Sequence, residues 1–398
     1  MVNPVHPDTP HISAVRAWRF AQELAVLGHR VVLLTAPLAG KEPFTRKPLA
    51  VHDWQQPYVL EVEDGAQSQT RLPAMLRRLR TAWRLVMYGG AREQWVCNSV
   101  RAVGQQFTHF QPDVVWCTFG KMEAVFAAKR IATAAKCPWV LDIKDNWEMF
   151  VPSGLRRLMV WRTHGWEAVT ANAEFTAQKT RRWQHANSEV IYSGVDEAFF
   201  TEALEADESK FEFAITLVGS FYFPDYLDAF LSGVQQWFGT LKPAARGRVL
   251  IRYLGGDIEM FRRAIQRCIP HIHTEFRGYV SVKELAQTCR ASTVNAYVAH
   301  AGGFHHKLLE LLACERPILV YPAESDESRR LVKDAEGQLI ETSTPDQVAS
   351  FLTQLYGRRL CNGADMKTFK THQRYTWADQ SRQLEQVLSS TISTNTKK

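Results

Sequence analysis

No two cysteines stand in C-x-x-C spacing: the seven, at 97, 117, 137, 268, 289, 314 and 361, are scattered along the chain. That excludes the usual zinc sites and any disulfide framework, and reduced thiols fit a cytoplasmic location. No apolar run approaches the ~18 residues of a membrane span. The opening MVNPVHPDTP has neither the basic nor the apolar region of a secretory signal. Charge of one sign is not in great excess either: 48 Lys and Arg against 41 Asp and Glu leave +7, too mild and dispersed to point to nucleic acid. Low complexity is confined to the tail SSTISTNTKK, whose residues 391–398 are expected to be disordered. His300, His305 and His306 lack a carboxylate or thiol at ligand spacing, so no metal site is expected.

What the chain does have is 398 residues with 45% hydrophobic content, enough for two cores. Apolar runs alternate with helical periods. RVVLLTA follows SAVRAWRFAQELAVLG; PDVVWCTF, KMEAVFAAKRIATAAK and PWVLDIKD come next. FAITLVGS, RVLIRYLGG, HTEFRGY, TVNAYVA and RPILVYP repeat the scheme after the acidic, weakly apolar stretch TEALEADESKFEF. Strands separated by helices imply parallel βαβ units, hence an α/β chain of two doubly wound domains with a linker near residue 205 and a ligand cleft between them.

One stretch carries most of the chemistry: HAGGFHHKLLELLACERPILVYP, residues 300–322. Leu308, Leu309, Leu311 and Leu312 share an arc of a helix, with Glu310 opposite and Lys307 beside it. Such a pair is either a solvated i,i+3 contact contributing a few tenths of a kcal/mol or a ligand site. For the second, Gly302 and Gly303 let backbone approach an anion, Lys307, His305 and His306 add donors, and Glu310 accepts from paired hydroxyls.

FHHKLLELLACERPILVY resembles the signature of family-4 retaining glycosyltransferases of GT-B fold. RAWRFAQELAVLGHRVVLLTA, PDVVWCTF, VLDIKDNW, EVIYSGVDEAFF, LVGSFY, EFRGYVSVKEL and YTWADQSRQLEQVL fall in that family's order. The resemblance implies two Rossmann-like domains, an acceptor domain over 1–205 and a nucleotide-sugar domain over 206–372, with a helix from 373–390 packing back on the first. It implies transfer of a sugar from a nucleotide diphosphate donor to a glycan or lipid-linked acceptor, as in polysaccharide assembly, with retention of configuration and without metal or other cofactor. Lys144, Asp145 and Lys307 are the implied catalytic residues. Glu310, His306, Gly303, Phe304, Gly219, Ser220 and Arg277 would bind the donor, and Ser13 and Arg16 the acceptor or phosphate side. A sugar-nucleotide 2-epimerase and a silent scaffold of the same architecture are the alternatives.

The chain departs from the pattern in several places. The family's first Glu is Gly302, its phosphate Arg and Lys give way to SFYFPD with Ser220 as the weaker donor, and its catalytic His is Lys144. Glu315 replaces a Gly and must tolerate or avoid a left-handed backbone, at ~1 kcal/mol or more. The sequence starts where the family's central strand should end. Residues 1–5 are therefore expected to form at most a stub, Pro4 to Ile12 a loop at the cleft rim, and the helix to begin near Ser13; an added upstream apolar strand should stabilise the domain.

Residues 71–92 hold six arginines and no acid. Met75, Leu76, Leu79, Trp83, Val86 and Met87 form an apolar stripe beside them, as in an interfacial helix, although a core-packing helix with a solvated basic face reads the same way. Peripheral binding to an anionic surface at the inner face of the membrane, through Arg77, Arg78, Arg80 and Arg84, is expected, without nucleic acid as a partner.

Overall fold

The computed structural model describes residues 1–9, 11–45, 47–65, 73–200, 211–299, 303–362 and 375–395. The chain divides into two units, Met1–Gly194 with Trp377–Lys398, and Val195–Thr376. The division falls at Gly194, earlier than 205. Of the acidic stretch read as a linker, residues 201–210 lie outside the described residues, and Phe213 is already buried in the first strand of the second unit.

The first unit holds β1 (Val32–Thr35), β2 (Tyr58–Glu61), β3 (Val115–Phe119), β4 (Trp139–Ile143), β5 (Ala168–Ala171) and β6 (Glu189–Val190). β1 pairs β2, and β3 to β6 pair in order, all parallel. Among the described residues Val2 bridges the two parts, pairing in the parallel sense with Leu34 and with Cys117. Every residue of β3 and β4 is buried, as a parallel sheet covered on both faces requires. Alternation then sorts the side chains. Trp116 and Val140 face one core with Phe20 of the helix Ile12–Val26 and Trp377. Val115, Cys117 and Leu141 face the other with Val125 and Ile131 of the helix Met122–Ala135.

Phe20 meets Trp377 edge to face with ring centres 5.4 Å apart, so the closing helix Trp377–Asn395 belongs to the first unit. Its last turns correct the expectation of disorder: residues 391–395 are helical and Thr391 is buried, its hydroxyl donating to Val387 O at 2.7 Å. The remaining tail, 396–398, lies outside the described residues.

The second unit is a six-stranded parallel sheet in the order β12-β11-β10-β7-β8-β9. These are β7 (Phe213–Val218), β8 (Val249–Leu254), β9 (His273–Arg277), β10 (Val294–Val298), β11 (Ile318–Tyr321) and β12 (Leu339–Glu341). The chain runs outward one way from β7 and then returns to β10 on its other side. The loops leaving β7 and β10 therefore diverge at their carboxyl ends and open a crevice there.

Candidate functional site

The carboxyl ends of β7 and β8, the loop after β9 and the helix Lys307–Ala313 enclose a pocket of about 170 Å³. Gly219, Gly255, Gly256 and Gly278 make much of its wall, with Ser220, Tyr279, Lys307 and Glu310. Gly219 sits at φ 90°, a left-handed backbone, and a Cβ there would stand 2.5 Å from Lys307 Nζ. Only glycine lets the lysine reach this strand end. Its amine donates to Val218 O at 3.4 Å and lies 4.9 Å from the centre of the Tyr297 ring. Burial pushes the ammonium down to about 8, against the attraction of Glu324 and Glu310. It is thus a cation that stands ready to be strengthened by an incoming anion.

Glu310, one turn on, keeps its carboxylate at the pocket, with His306 Nε2 at 3.5 Å from Oε1. Behind the pocket Glu324 is buried and saturated. It accepts from Tyr297 OH at 2.6 Å, Ser328 Oγ at 2.8 Å and Ser325 N–H at 3.0 Å, and lies 2.6 Å from His305 Nδ1. Burial alone would raise this carboxyl, but those bonds, His305 foremost, hold it below the usual range. His305, read as a donor to an anion, instead anchors the loop ahead of Lys307 through Glu324. At the far end of the same helix Glu315 takes φ 56°, adopting the left-handed conformation at a cost of ~1 kcal/mol.

The pocket thus gathers Gly219, Ser220, Lys307 and Glu310. Gly303 and Phe304 are not among its lining residues, and Gly302 and His300 lie outside the described residues. Arg277, expected on the donor, is instead held by Glu275 and by Glu284 at 2.9 Å, while its neighbours Gly278 and Tyr279 line the wall. The sequence reading missed Tyr279, Tyr297 and Glu324. For Tyr279 the glycine pair closing RVLIRYLGG was the available signal, because glycine at a strand's carboxyl end leaves room for a ligand and Gly256 lies against that ring.

In the first unit Lys144 and Asp145 follow β4 directly. The lysine is buried and donates to Asp145 Oδ2 at 2.7 Å. His11 stands near this pair: burial first, then the Lys144 charge, lower its pKa. Ser13 is not the helix cap; His11 is, its Nδ1 accepting from Ser13 N–H at 3.1 Å, and Ser13 is buried against Asn3. Arg16 is no anion contact. It lies in the core, gripping Asp142 through two bonds of 2.9 and 2.7 Å, and also donating to Ile191 O and Ser193 Oγ.

Residues 13–199 match the family model described as Glycosyltransferase Family 4. HepE of Anabaena, solved in complex with UDP and glucose, superposes with a TM-score of 0.63 at 14% identity, covering 98% of this chain and 97% of that one. Sucrose-phosphate synthase from Thermosynechococcus elongatus gives 0.64 at 15% identity, covering 96% and 94%. A putative UDP-N-acetylglucosamine 2-epimerase from Listeria monocytogenes gives 0.56 at 10% identity, covering 94% of each. No curated protein matches the sequence. Residues 13–199 thus match the family-4 glycosyltransferase model, and the chain as a whole has the GT-B fold of two Rossmann-like units.

Proposed function

We propose that the protein transfers a sugar from a nucleotide diphosphate donor to a glycan or lipid-linked acceptor, with retention and without a metal ion. The observation that carries this reading is the pocket in which a buried lysine amine and a carboxylate one helical turn away face a glycine wall. Glu310 accepts from the paired ribose hydroxyls, and Lys307 sets its charge against the diphosphate, where negative charge grows as the glycosidic bond breaks. Ser220 is a second donor on that side. The leaving phosphate oxygen takes the acceptor proton, so no side-chain nucleophile is required. Lys144 and Asp145 serve the first unit's side of the reaction, the lysine toward the leaving phosphate and the aspartate toward the acceptor hydroxyl. The UDP complex of HepE supports uridine diphosphate as the first nucleotide to try.

Replacing Glu310 by alanine is expected to weaken nucleoside diphosphate binding by ~1.5 to 3 kcal/mol, the range for hydrogen bonds to a charged group. Calorimetry with UDP, GDP and ADP checks this, and unchanged affinity for whichever nucleotide binds removes Glu310 from the site. For the reaction itself, anomeric configuration is read on the product. Inversion at C2 of the donor with no acceptor consumed would sink the transferase reading in favour of epimerisation.

The lipid side of the proposal rests on the helix Ala74–Tyr88, in which no residue is buried. Met75, Leu76, Leu79 and Trp83 are exposed, beside Arg77, Arg78 and Arg80. Arg84 drops out of the expected cluster, because it forms a two-bond pair with Glu93, just past the acid-free window. Arg71 lies outside the described residues. Arg77 and Arg78, both exposed, are expected to hold the protein on anionic vesicles at about 1 kcal/mol each, with the half-buried Arg80 beside them. In co-sedimentation, Arg77→Glu with Arg78→Glu and Arg80→Glu should release it, as should high salt; equal binding to neutral and anionic vesicles counts against this.

A further inference from the structure

In the first unit the carboxyl ends of β3 and β4 meet the start of the helix Ile12–Val26 at Gly120. A Cβ there would stand 2.4 Å from Ser13 Oγ, and Lys144 passes just behind, its Cε 3.5 Å from the same point. Three side chains that bear nitrogen gather at this spot. Lys121 follows Gly120, is exposed and forms no ion pair among the described residues. Lys144 is buried and paired with Asp145. His11 registers both charges: burial first, then Lys144 and more weakly Lys121 lower its pKa, with Asp145 opposing. Its Nδ1 accepts from Ser13 N–H, which leaves Nε2–H of the neutral ring as a donor. Ala14 and Val15 N–H are taken by His11 O, so an anion arriving here is met by side chains and not by the helix end. A second carboxyl, Glu123, is buried over Gly90, and that burial raises its pKa against the pull of the Glu123 and Arg92 amides. Asp145 is thus the main counterion for two lysines.

Beside this cationic group stands an apolar one. Met149 and Phe150 are 83% and 54% exposed. Their backbone is pinned: Asn146 Oδ1 accepts from Glu148 N–H at 3.3 Å, and Arg156 donates to Glu148 O at 2.7 Å and to Val151 O at 3.2 Å. The Phe150 ring meets that of Phe119, two residues before Lys121, with ring centres 5.7 Å apart. Apolar side chains held outward by fixed backbone mark a place that an apolar partner covers. A neutral sugar would answer neither group, and a sugar phosphate only the first.

We propose, resting on the transferase reading, that the acceptor is a lipid phosphate: a molecule whose phosphate is held by Lys121 and His11, with Lys144 behind them, and whose apolar chain lies on Met149 and Phe150. The hydroxyl that receives the sugar is then directed to Asp145.

The test is calorimetry with decyl phosphate below its micellar concentration, against inorganic phosphate, glucose 6-phosphate and decyl glucoside, with no nucleotide present. Decyl phosphate should bind at least tenfold more tightly than each of the others. Lys121→Gln, at an exposed position, should weaken it about fivefold, and high salt should do the same. Met149→Ser with Phe150→Ser should weaken it about tenfold and leave inorganic phosphate unchanged. Glucose 6-phosphate binding as tightly overturns the lipid, and decyl glucoside binding as tightly overturns the phosphate. Affinity unaltered in Lys121→Gln, or lost instead in Leu79→Ser with Trp83→Ser, places the ligand elsewhere and overturns the site. The two readings fail separately: a protein that transfers sugar yet ignores decyl phosphate refutes this proposal alone, whereas inversion at C2 of the donor refutes the transferase reading whatever decyl phosphate does.

Discussion

Replacing Lys307 by methionine is expected to lower sugar transfer about 10²–10³-fold, the loss that follows removal of one preorganised charge donor from a reacting centre. Methionine keeps the length of the side chain and its contact with Tyr297, so the fold is retained. A pH signature distinguishes the amine's charge from its bulk. In the free protein the ammonium titrates near 8. A bound diphosphate raises that pKa, because an opposite charge favours the protonated form. The complex therefore holds a proton that the free protein loses above pH 8. Affinity for the nucleoside diphosphate should be level below that pH and fall above it, at most about tenfold per unit, until the raised pKa is reached. The break persists in Glu310→Ala and vanishes in Lys307→Met. Near-normal turnover of Lys307→Met, or a break that survives the substitution, rules out the proposed role.

Arg16→Ala is expected to destabilise the first unit by about 3–5 kcal/mol, the cost of stranding a buried charge. Asp142 is fully buried, and besides Arg16 it has Thr170 Oγ1, donating at 2.8 Å. With the guanidinium gone, the carboxylate must stay charged without a counterion or take up a proton. Ile191 O and Ser193 Oγ lose a donor at the same time. Exchanging both partners, Arg16→Met with Asp142→Leu, should recover most of the loss, since a well-packed apolar pair of similar volume is often as stable as the ion pair. Denaturant unfolding measures both variants. A loss below 1 kcal/mol for Arg16→Ala would show that water reaches Asp142.

The contrast between Arg16 and Lys307 shows what could be read before the fold was known. Strand and helix order was legible because apolar runs and 3.6-residue periods report local burial. Gly219, Ser220, Lys307 and Glu310 share a pocket because strand ends and the turns after them fall at one edge of a parallel sheet, which is also a local matter. Arg16 was misread because its partner, Asp142, is 126 residues away, and nothing near position 16 distinguishes a core arginine from a surface one. Glu324 was missed for the same reason: its value lies in Tyr297 and His305, which only the sheet brings to it. Arg84 was misassigned by a window that stopped one residue before Glu93. The left-handed backbone at Glu315 was anticipated as a possibility, but the sequence left open whether the chain would adopt it or avoid it.

The closing helix Trp377–Asn395 packs into the first unit, while the second unit is one continuous stretch from Val195 to Thr376. The first unit is therefore completed only by residues that follow the whole of the second in the chain, and without them Phe20 and Ile191 lose the helix that covers them. A chain cut after residue 376 would keep the whole of the second unit and leave the first with one face of its core open to solvent. Such a product is a natural client for chaperones, and docking of the helix Trp377–Asn395 is the step that closes it.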